Sequence, residues 1–332
     1  MSPIGAAPAA GESQARESVG DQVRSVILAL LIVLAVQTLI VRPYTIPSAS
    51  EEPNLYQGDY ILVTKWSYGY SRHSILGSPP LFKGRLFFHA PARGDIIVFK
   101  LPRDGHTDYI KRLIGLPGDR VQVRSGRLYI NGEALAEGPA RPVTVTDRGW
   151  PEQARWVRET NPEGRSYLTQ IHGTGGEAAD NTGVYVVPPH CYFMMGDNRQ
   201  NSADSRYDSG LLPDDPKLGG CGWNGALDAY LPAGTGVGFV PEDNLIGRAR
   251  IVVLSWKPDA AFFKPWTWLD LRTDRFFKIV TDPLTAPYIV PRRGNRETAS
   301  APARTCTPPK PPYLLSGRRN PRPRGGFGWP PG

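Results

Sequence analysis

Asp108-Tyr109-Ile110-Lys111-Arg112-Leu113-Ile114-Gly115-Leu116-Pro117-Gly118-Asp119 reads as a β-strand running into a tight turn. Side chains alternate across an extended strand, so Tyr109, Lys111 and Leu113 share one face and Ile110, Arg112 and Ile114 the other. Leu116-Pro117-Gly118-Asp119 then supplies turn chemistry. A Lys-Arg pair inside such a strand has two readings. Either it marks an exposed strand edge, or Lys111 is held among apolar neighbours, a setting that favours an uncharged amine.

The same pattern recurs on both sides of this strand. Asp59–Val63, Asp95–Phe99, Arg120–Val123, Arg127–Ile130, Gly183–Val187 and Arg250–Leu254 are short apolar or alternating runs broken by Gly, Pro and Asp. Ile130-Asn131-Gly132-Glu133 is a second turn. These runs predict a mainly β protein with no long helix beyond residue 42. Residues 135–182 read as polar and irregular, and 210–235 as a loop rich in Gly, Pro and Asp.

The chain has 332 residues and a formal charge of +8, which suggests a polyanion partner until the charge is located. Ala286–Gly332 carries nine Lys or Arg and one acid; removing these from 39 bases and 31 acids leaves thirty of each, so the folded part is neutral. Eleven prolines fall in the same 47 residues, which predicts a solvated basic tail over 286–332, and no nucleic acid partner is expected. Cys191, Cys221 and Cys306 allow at most one internal disulfide and lack metal-site spacing, so neither metal nor cofactor is implied.

Ser25–Val41, SVILALLIVLAVQTLIV, is an uncharged run of 17 residues between Arg24 and Arg42, following a polar segment over 1–24. As a helix it spans roughly 26 Å, the short end of what crosses a bilayer. It predicts a transmembrane anchor over 25–41. The rival is a signal peptide cut after Ser50, which would leave a secreted soluble β protein, but the run exceeds the usual ~7–15 apolar residues. Flanking arginines lean towards an N-terminus inside and the bulk outside.

Ile46–Leu55, IPSASEEPNL, places Ser48 and Ser50 just past the anchor. The sequence has no nucleophile elbow, zinc-helix or phosphate-loop motif, and its five histidines are scattered, so a serine nucleophile would need another base. Lysine can serve if uncharged. An ordinary lysine titrates at about 10.4, so neutrality at pH 7 costs roughly 4.6 kcal/mol, which only burial among apolar groups can supply.

IPSASEEPNL, GDYILVTKWSYG (Gly58–Gly69), YIKRLIGLPGD (Tyr109–Asp119), MMGDNRQNSADSR (Met194–Arg206) and GFVPEDNLIGRA (Gly238–Ala249) resemble, in order and spacing, the bacterial type I signal peptidases. The likeness covers about Ser25 to Trp256. It implies a membrane-anchored endopeptidase with a Ser/Lys dyad that removes signal peptides from exported preproteins. Ser50 would be the nucleophile, Lys111 the general base and Ser48 an oxyanion donor. Ser202 would orient Lys111, and Asp204 and Arg206 would brace their loop as an ion pair. Without the family, that pair would read as ordinary surface charge. The implied architecture is a β-rich catalytic core over 42–121 and 189–285 with an inserted β cap over 122–188. Substrates would bind as an added strand, at the outer (periplasmic) face of the inner membrane, in contact with lipid.

The match departs at the nucleophile. Glu51 replaces the family's methionine, Ala49 a glycine and Asn54 a threonine, while Gln200 replaces an acid. A carboxylate within about 4–6 Å of Lys111 would favour its ammonium form and oppose catalysis. On an extended segment Ser50 and Glu51 point to opposite sides, so Glu51 is expected to face solvent or lipid headgroups. The alternative is a catalytically impaired homologue that binds exported chains.

Overall fold

The computed structural model describes residues 19–280 apart from 148–149, 174–175, 177, 213, 223–235, 258–264 and 268; the predicted tail, most of the segment before the anchor, half of the 210–235 loop and Cys306 lie outside the described residues. Helix α1 (Val19–Leu39) has no buried residue, and it is the one described helix long and apolar enough to cross a membrane. It starts earlier and stops earlier than the expected 25–41. Backbone hydrogen bonding carries a helix through Asp21 and Arg24 without regard to polarity, while Val41 already pairs with Thr64 in a sheet.

The strands follow as β1 (Val41–Thr45), β2 (Asp59–Thr64), β3 (Ile96–Lys100), β4 (Asp108–Gly115), β5 (Arg120–Arg124), β6 (Arg127–Ile130), β7 (Glu133–Ala134) and β8 (Ala136–Glu137). Next come β9 (Arg141–Asp147), β10 (Trp150–Thr160), β11 (Ser166–His172), β12 (Tyr185–Val186), β13 (Cys191–Met195), β14 (Val240–Pro241), β15 (Leu245–Ser255) and β16 (Lys278–Ile279). The main sheet runs β1-β2-β15-β3-β4-β13-β14, with β16 on β15, and is antiparallel throughout. Its two faces bury separate apolar clusters, one around Ile46, Leu55, Ile61 and Ile110, the other around Tyr68, Phe99, Leu113 and Met194.

Between β4 and β13 the chain builds two smaller sheets, β12-β5-β6-β7 and β11-β10-β8 with β9 on β10. The Asn131-Gly132 hairpin turn forms with both residues at positive φ, 55° and 88°, which suits the twist of β6 and β7. The stretch 135–182, expected to be irregular, instead holds β8 to β11. Its inward positions carry Ala154, Val157 and Glu159 rather than an apolar series, and the Glu159 carboxylate is neutralised inside by Arg199 at 2.5 Å. A buried ion pair replaces the hydrophobic alternation by which a strand is recognised.

Cys191 on β13 pairs with Cys221, with Cα atoms 5.6 Å apart. Closing a loop across 30 residues of sequence restricts the unfolded chain by about 3–4 kcal/mol in the entropic account. Reduced protein, or a Cys191→Ser/Cys221→Ser double variant, is therefore expected to melt several degrees below the oxidised parent in detergent. An unchanged melting temperature would mean the bridge is not formed in the folded protein.

Candidate active site

Three segments converge on one point. The first leaves β1 through Ile46, whose N–H donates to Asp59 at 2.9 Å, and then coils in tight turns, with Glu52, Asn54 and Leu55 N–H groups donating back to Ala49 and Glu51. Those turns place Ser50 at 8% exposure, with its Oγ 3.3 Å from that of Ser48. The second is β4, which carries Lys111 at 3% exposure. Lys111 Nζ lies 2.5 Å from Ser50 Oγ, donates to the Ile110 carbonyl at 2.8 Å, and sits 5.8 Å from the ring centre of its face neighbour Tyr109.

The third is the loop after β13. Gly196 is required by crowding: a Cβ there would stand 2.5 Å from both Ser202 Cβ and the Ser50 carbonyl oxygen. Asn198 holds the serine turn from behind, its N–H donating to the Ser50 carbonyl at 3.1 Å and its side-chain amide to that of Ala49 at 3.2 Å. Asp197 accepts two bonds from Arg112, at 2.6 and 2.7 Å, and a third from Asn54 at 2.6 Å. Burial would lower the Arg112 guanidinium, but the Asp197 carboxylate outweighs it and holds it above its ordinary value.

Beside this centre lies a cavity of about 250 Å³, lined by Tyr44, Ile46, Pro47, Ile61, Val98, Asp108, Tyr109 and Ile110 among others. Asp108–Lys111 pairs with β3 on one side only, because β13 joins β4 no earlier than Arg112. The backbone edge next to Lys111 and the cavity is thus without a strand partner among the described residues.

A family model described as "Signal peptidase, peptidase S26" matches residues 19–256. This is most of the chain. The chain belongs to the signal peptidase family, peptidase S26. As a member it is a hydrolase of the serine peptidase type. It is 34% identical to "Signal peptidase I" of Rickettsia typhi over 80% of this chain and 96% of that one, and 38% identical to that of Rickettsia bellii over 80% and 88%. A crystal structure of a signal peptidase I from Enterococcus faecalis V583 is 25% identical and covers 48% of this chain and 97% of that one, with a TM-score of 0.24.

Against this signal peptidase framework, several expectations change. Glu51 does not face solvent or headgroups: the segment is a turn, not a strand, and Glu51 is fully buried with Oε1 3.7 Å from Lys111 Nζ. Neither of its carboxyl oxygens has a hydrogen-bond partner among the described residues. Burial, then the Asp197 charge, push its carboxyl well above the usual range; Lys111 and Arg112 oppose them without prevailing, which favours the neutral acid. Glu52 is lifted by burial to about 7 against the pull of Arg272 and Arg275.

Ser202 makes no hydrogen bond to Lys111, whose second partner is the Ile110 carbonyl instead; Ser202 Oγ is buried without a partner among the described residues, across Gly196 from Ser50. Asp204 and Arg206 are not surface charge. They form a fully buried pair at 2.9 Å, with Asp204 also accepting the Gly196 N–H at 3.0 Å and Arg206 donating to the Arg199 carbonyl. Burial raises the Asp204 carboxyl, but Arg206 and these hydrogen bonds more than reverse it and hold it below the ordinary range. Gln200 spans two partners, accepting from His172 N–H at 2.9 Å and donating to Asp180 at 2.7 Å, a double role that a carboxylate beside Asp180 could not fill. Sequence reasoning assigned nothing to Arg112, Asp197, Asn198 or Asn54, although all four lie inside the quoted motifs.

Glu51 carries a pH signature. Its carboxyl holds a proton more tightly folded than unfolded, so its contribution favours the folded state below the ordinary carboxyl range and is lost as pH rises. Glu51→Gln keeps the shape and removes the titration. The melting temperature of the variant minus that of the parent is expected to grow between about pH 5 and about pH 8. A difference that does not change with pH would contradict an unpaired buried acid.

Proposed function

We propose that this chain is a membrane-anchored endopeptidase that removes signal peptides from exported preproteins, with Ser50 as nucleophile and Lys111 as general base. The observation that carries the reading is the buried 2.5 Å contact between Lys111 Nζ and Ser50 Oγ. The reaction needs the amine uncharged. Its N–H then donates to the Ile110 carbonyl, and its lone pair takes the Ser50 proton as Oγ attacks the scissile carbonyl. The resulting ammonium returns that proton to the leaving amine, the C–N bond breaks, and the signal peptide remains esterified to Ser50. Water activated by the same amine then releases it. The Ser48 hydroxyl, whose Oγ lies 3.3 Å from that of Ser50, and the Ser50 N–H are the donors assigned to the developing oxyanion.

A neutral Glu51 supports this chemistry, because an uncharged acid at 3.7 Å does not hold the amine as ammonium. The same upward push on the Glu51 carboxyl favours an active enzyme over the impaired homologue. The unpaired Asp108–Lys111 edge and the adjacent cavity support a substrate bound as an added strand with its side chains reaching the recess. The secreted reading would strip β1 from the main sheet and remove buried Ile46, so it fits poorly. A bilayer-crossing α1 ending at β1 would confine enzyme and membrane-tethered substrate to one surface, raising their effective concentration. The Cys191–Cys221 bridge favours the oxidising outer face.

Cleavage of a preprotein in detergent tests the dyad. Ser50→Ala and Lys111→Ala should each lower kcat by at least about 10⁴-fold, and Ser48→Ala by about 10²- to 10³-fold with KM little changed. Cleavage surviving both dyad substitutions would sink the reading. Activity that appears only when Glu51 is replaced by Met would favour the impaired homologue.

A further inference from the structure

The recess beside the dyad has two kinds of lining. Ile46, Ile61, Val98 and Ile110 line it and belong to one buried apolar cluster, whereas Tyr44 and Asp108 are polar. The Tyr44 hydroxyl is buried and has no hydrogen-bond partner among the described residues. Arg42 stands over the face of the Tyr44 ring, 5.0 Å from its centre, and Lys100 meets the Asp108 carboxylate at 2.7 Å. The carboxylate charge is therefore balanced, while the phenol O–H is left without an acceptor. Burial first, and the Asp108 charge second, push this phenol above its ordinary range against the pull of Arg42, so it stays an O–H donor.

Buried polar groups in folded proteins are nearly always hydrogen-bonded, and each exception asks for an explanation. A hydroxyl without a partner in the wall of a substrate recess is explained if the substrate brings the acceptor. Position says which part of the substrate this is. Strand β1 leads from the end of α1 past Tyr44 to the serine turn, so a chain arriving from the bilayer meets Tyr44 before Ser50. Asp108 lies three residues before Lys111 on β4, about 10 Å of extended strand. Both polar groups thus flank residues upstream of the one attacked. Every second side chain of an added strand faces the same way, so the selection falls on an alternate position and spares its neighbours.

We infer that Tyr44 is a specificity-determining residue, selecting signal peptides that carry a neutral side chain with an acceptor oxygen (serine, threonine, asparagine or glutamine) at an upstream position. The inference rests on the peptidase reading given above and names its substrate class. Water serves the Tyr44 hydroxyl while the recess is open, and a substrate strand closing over it expels that water. An acceptor side chain then restores the bond, whereas an aliphatic one strands the hydroxyl in the interior. A carboxylate is disfavoured beside the Asp108 charge, and a cation beside Arg42 and Lys100.

Threonine and valine, nearly equal in shape and different by one hydroxyl, provide the test. A preprotein is made with threonine or valine at each position upstream of the cut in turn. The kcat/KM for each is measured in detergent with full-length parent and with Tyr44→Phe. At one upstream position the parent is expected to favour threonine by about tenfold or more. Tyr44→Phe should lose that preference by cleaving the valine substrate faster. The ratio compares two substrates on one enzyme, so a smaller active fraction of the variant leaves it unchanged, and the parent's own ratio needs no variant. Equal cleavage of the two substrates at every position, or a preference that survives Tyr44→Phe, would overturn the inference, while loss of all cleavage in Ser50→Ala would keep the peptidase reading intact. A parent that cleaves none of these substrates would overturn the peptidase reading and the inference together.

Discussion

The arrangement depends on one buried carboxylate. Asp197 is 1% exposed and accepts from Arg112 of β4 twice and from Asn54 of the serine turn once. Its backbone extends the reach: the Asp197 carbonyl accepts from Gln170 N–H at 2.9 Å, and Asn54 also donates to Leu168, both on β11. One residue thus ties the strand that bears Lys111, the turn that bears Ser50 and one of the smaller sheets. Removing either charge of such a pair strands the other in the interior at about 3–5 kcal/mol. The geometry between Ser50 and Lys111 is held by this network, since the contact between them spans 61 residues of sequence and has no local support.

The same economy runs through the loop after β13. Asp204 with Arg206, and Glu159 with Arg199, are buried pairs whose carboxylates are neutralised inside the protein. Glu51 stands apart, with burial equal to theirs but no hydrogen bond and only a 3.7 Å approach to Lys111. Burial and the Asp197 charge favour its neutral acid, a form that lets a glutamate fill a position where an apolar side chain would otherwise pack without placing a charge beside the amine. The departure at Glu51 is thereby compatible with the chemistry of its neighbours.

Much of the sheet was legible in the sequence, because β2, β3, β5, β6 and part of β15 alternate or run apolar between strong turn residues, and Asn131-Gly132 demands positive φ. The alternation in β4 placed Lys111 with Tyr109 and Leu113 on one face, and the observed Tyr109 contact agrees. What was illegible had non-local causes. Strands β8 to β11 bury Ala154 and an Arg199-paired Glu159, so they carry no apolar period. Glu51 was misplaced because i to i+3 and i to i+4 turn bonds, not an extended chain, follow Ser50. The role of Asp197 could not be read at all, since its partner Arg112 lies 85 residues away in sequence.

The central claim is that Ser50, deprotonated by Lys111, becomes acylated. The most direct measurement is a rapid acid quench of the full-length protein turning over a preprotein in detergent, followed by peptide mapping by mass spectrometry. The account predicts an ester joining the C-terminal carboxyl of the signal peptide to the peptide containing Ser50, formed in the parent and lost with Lys111→Ala. An ester on any other side chain, or acylation of Ser50 that proceeds undiminished without Lys111, would contradict it.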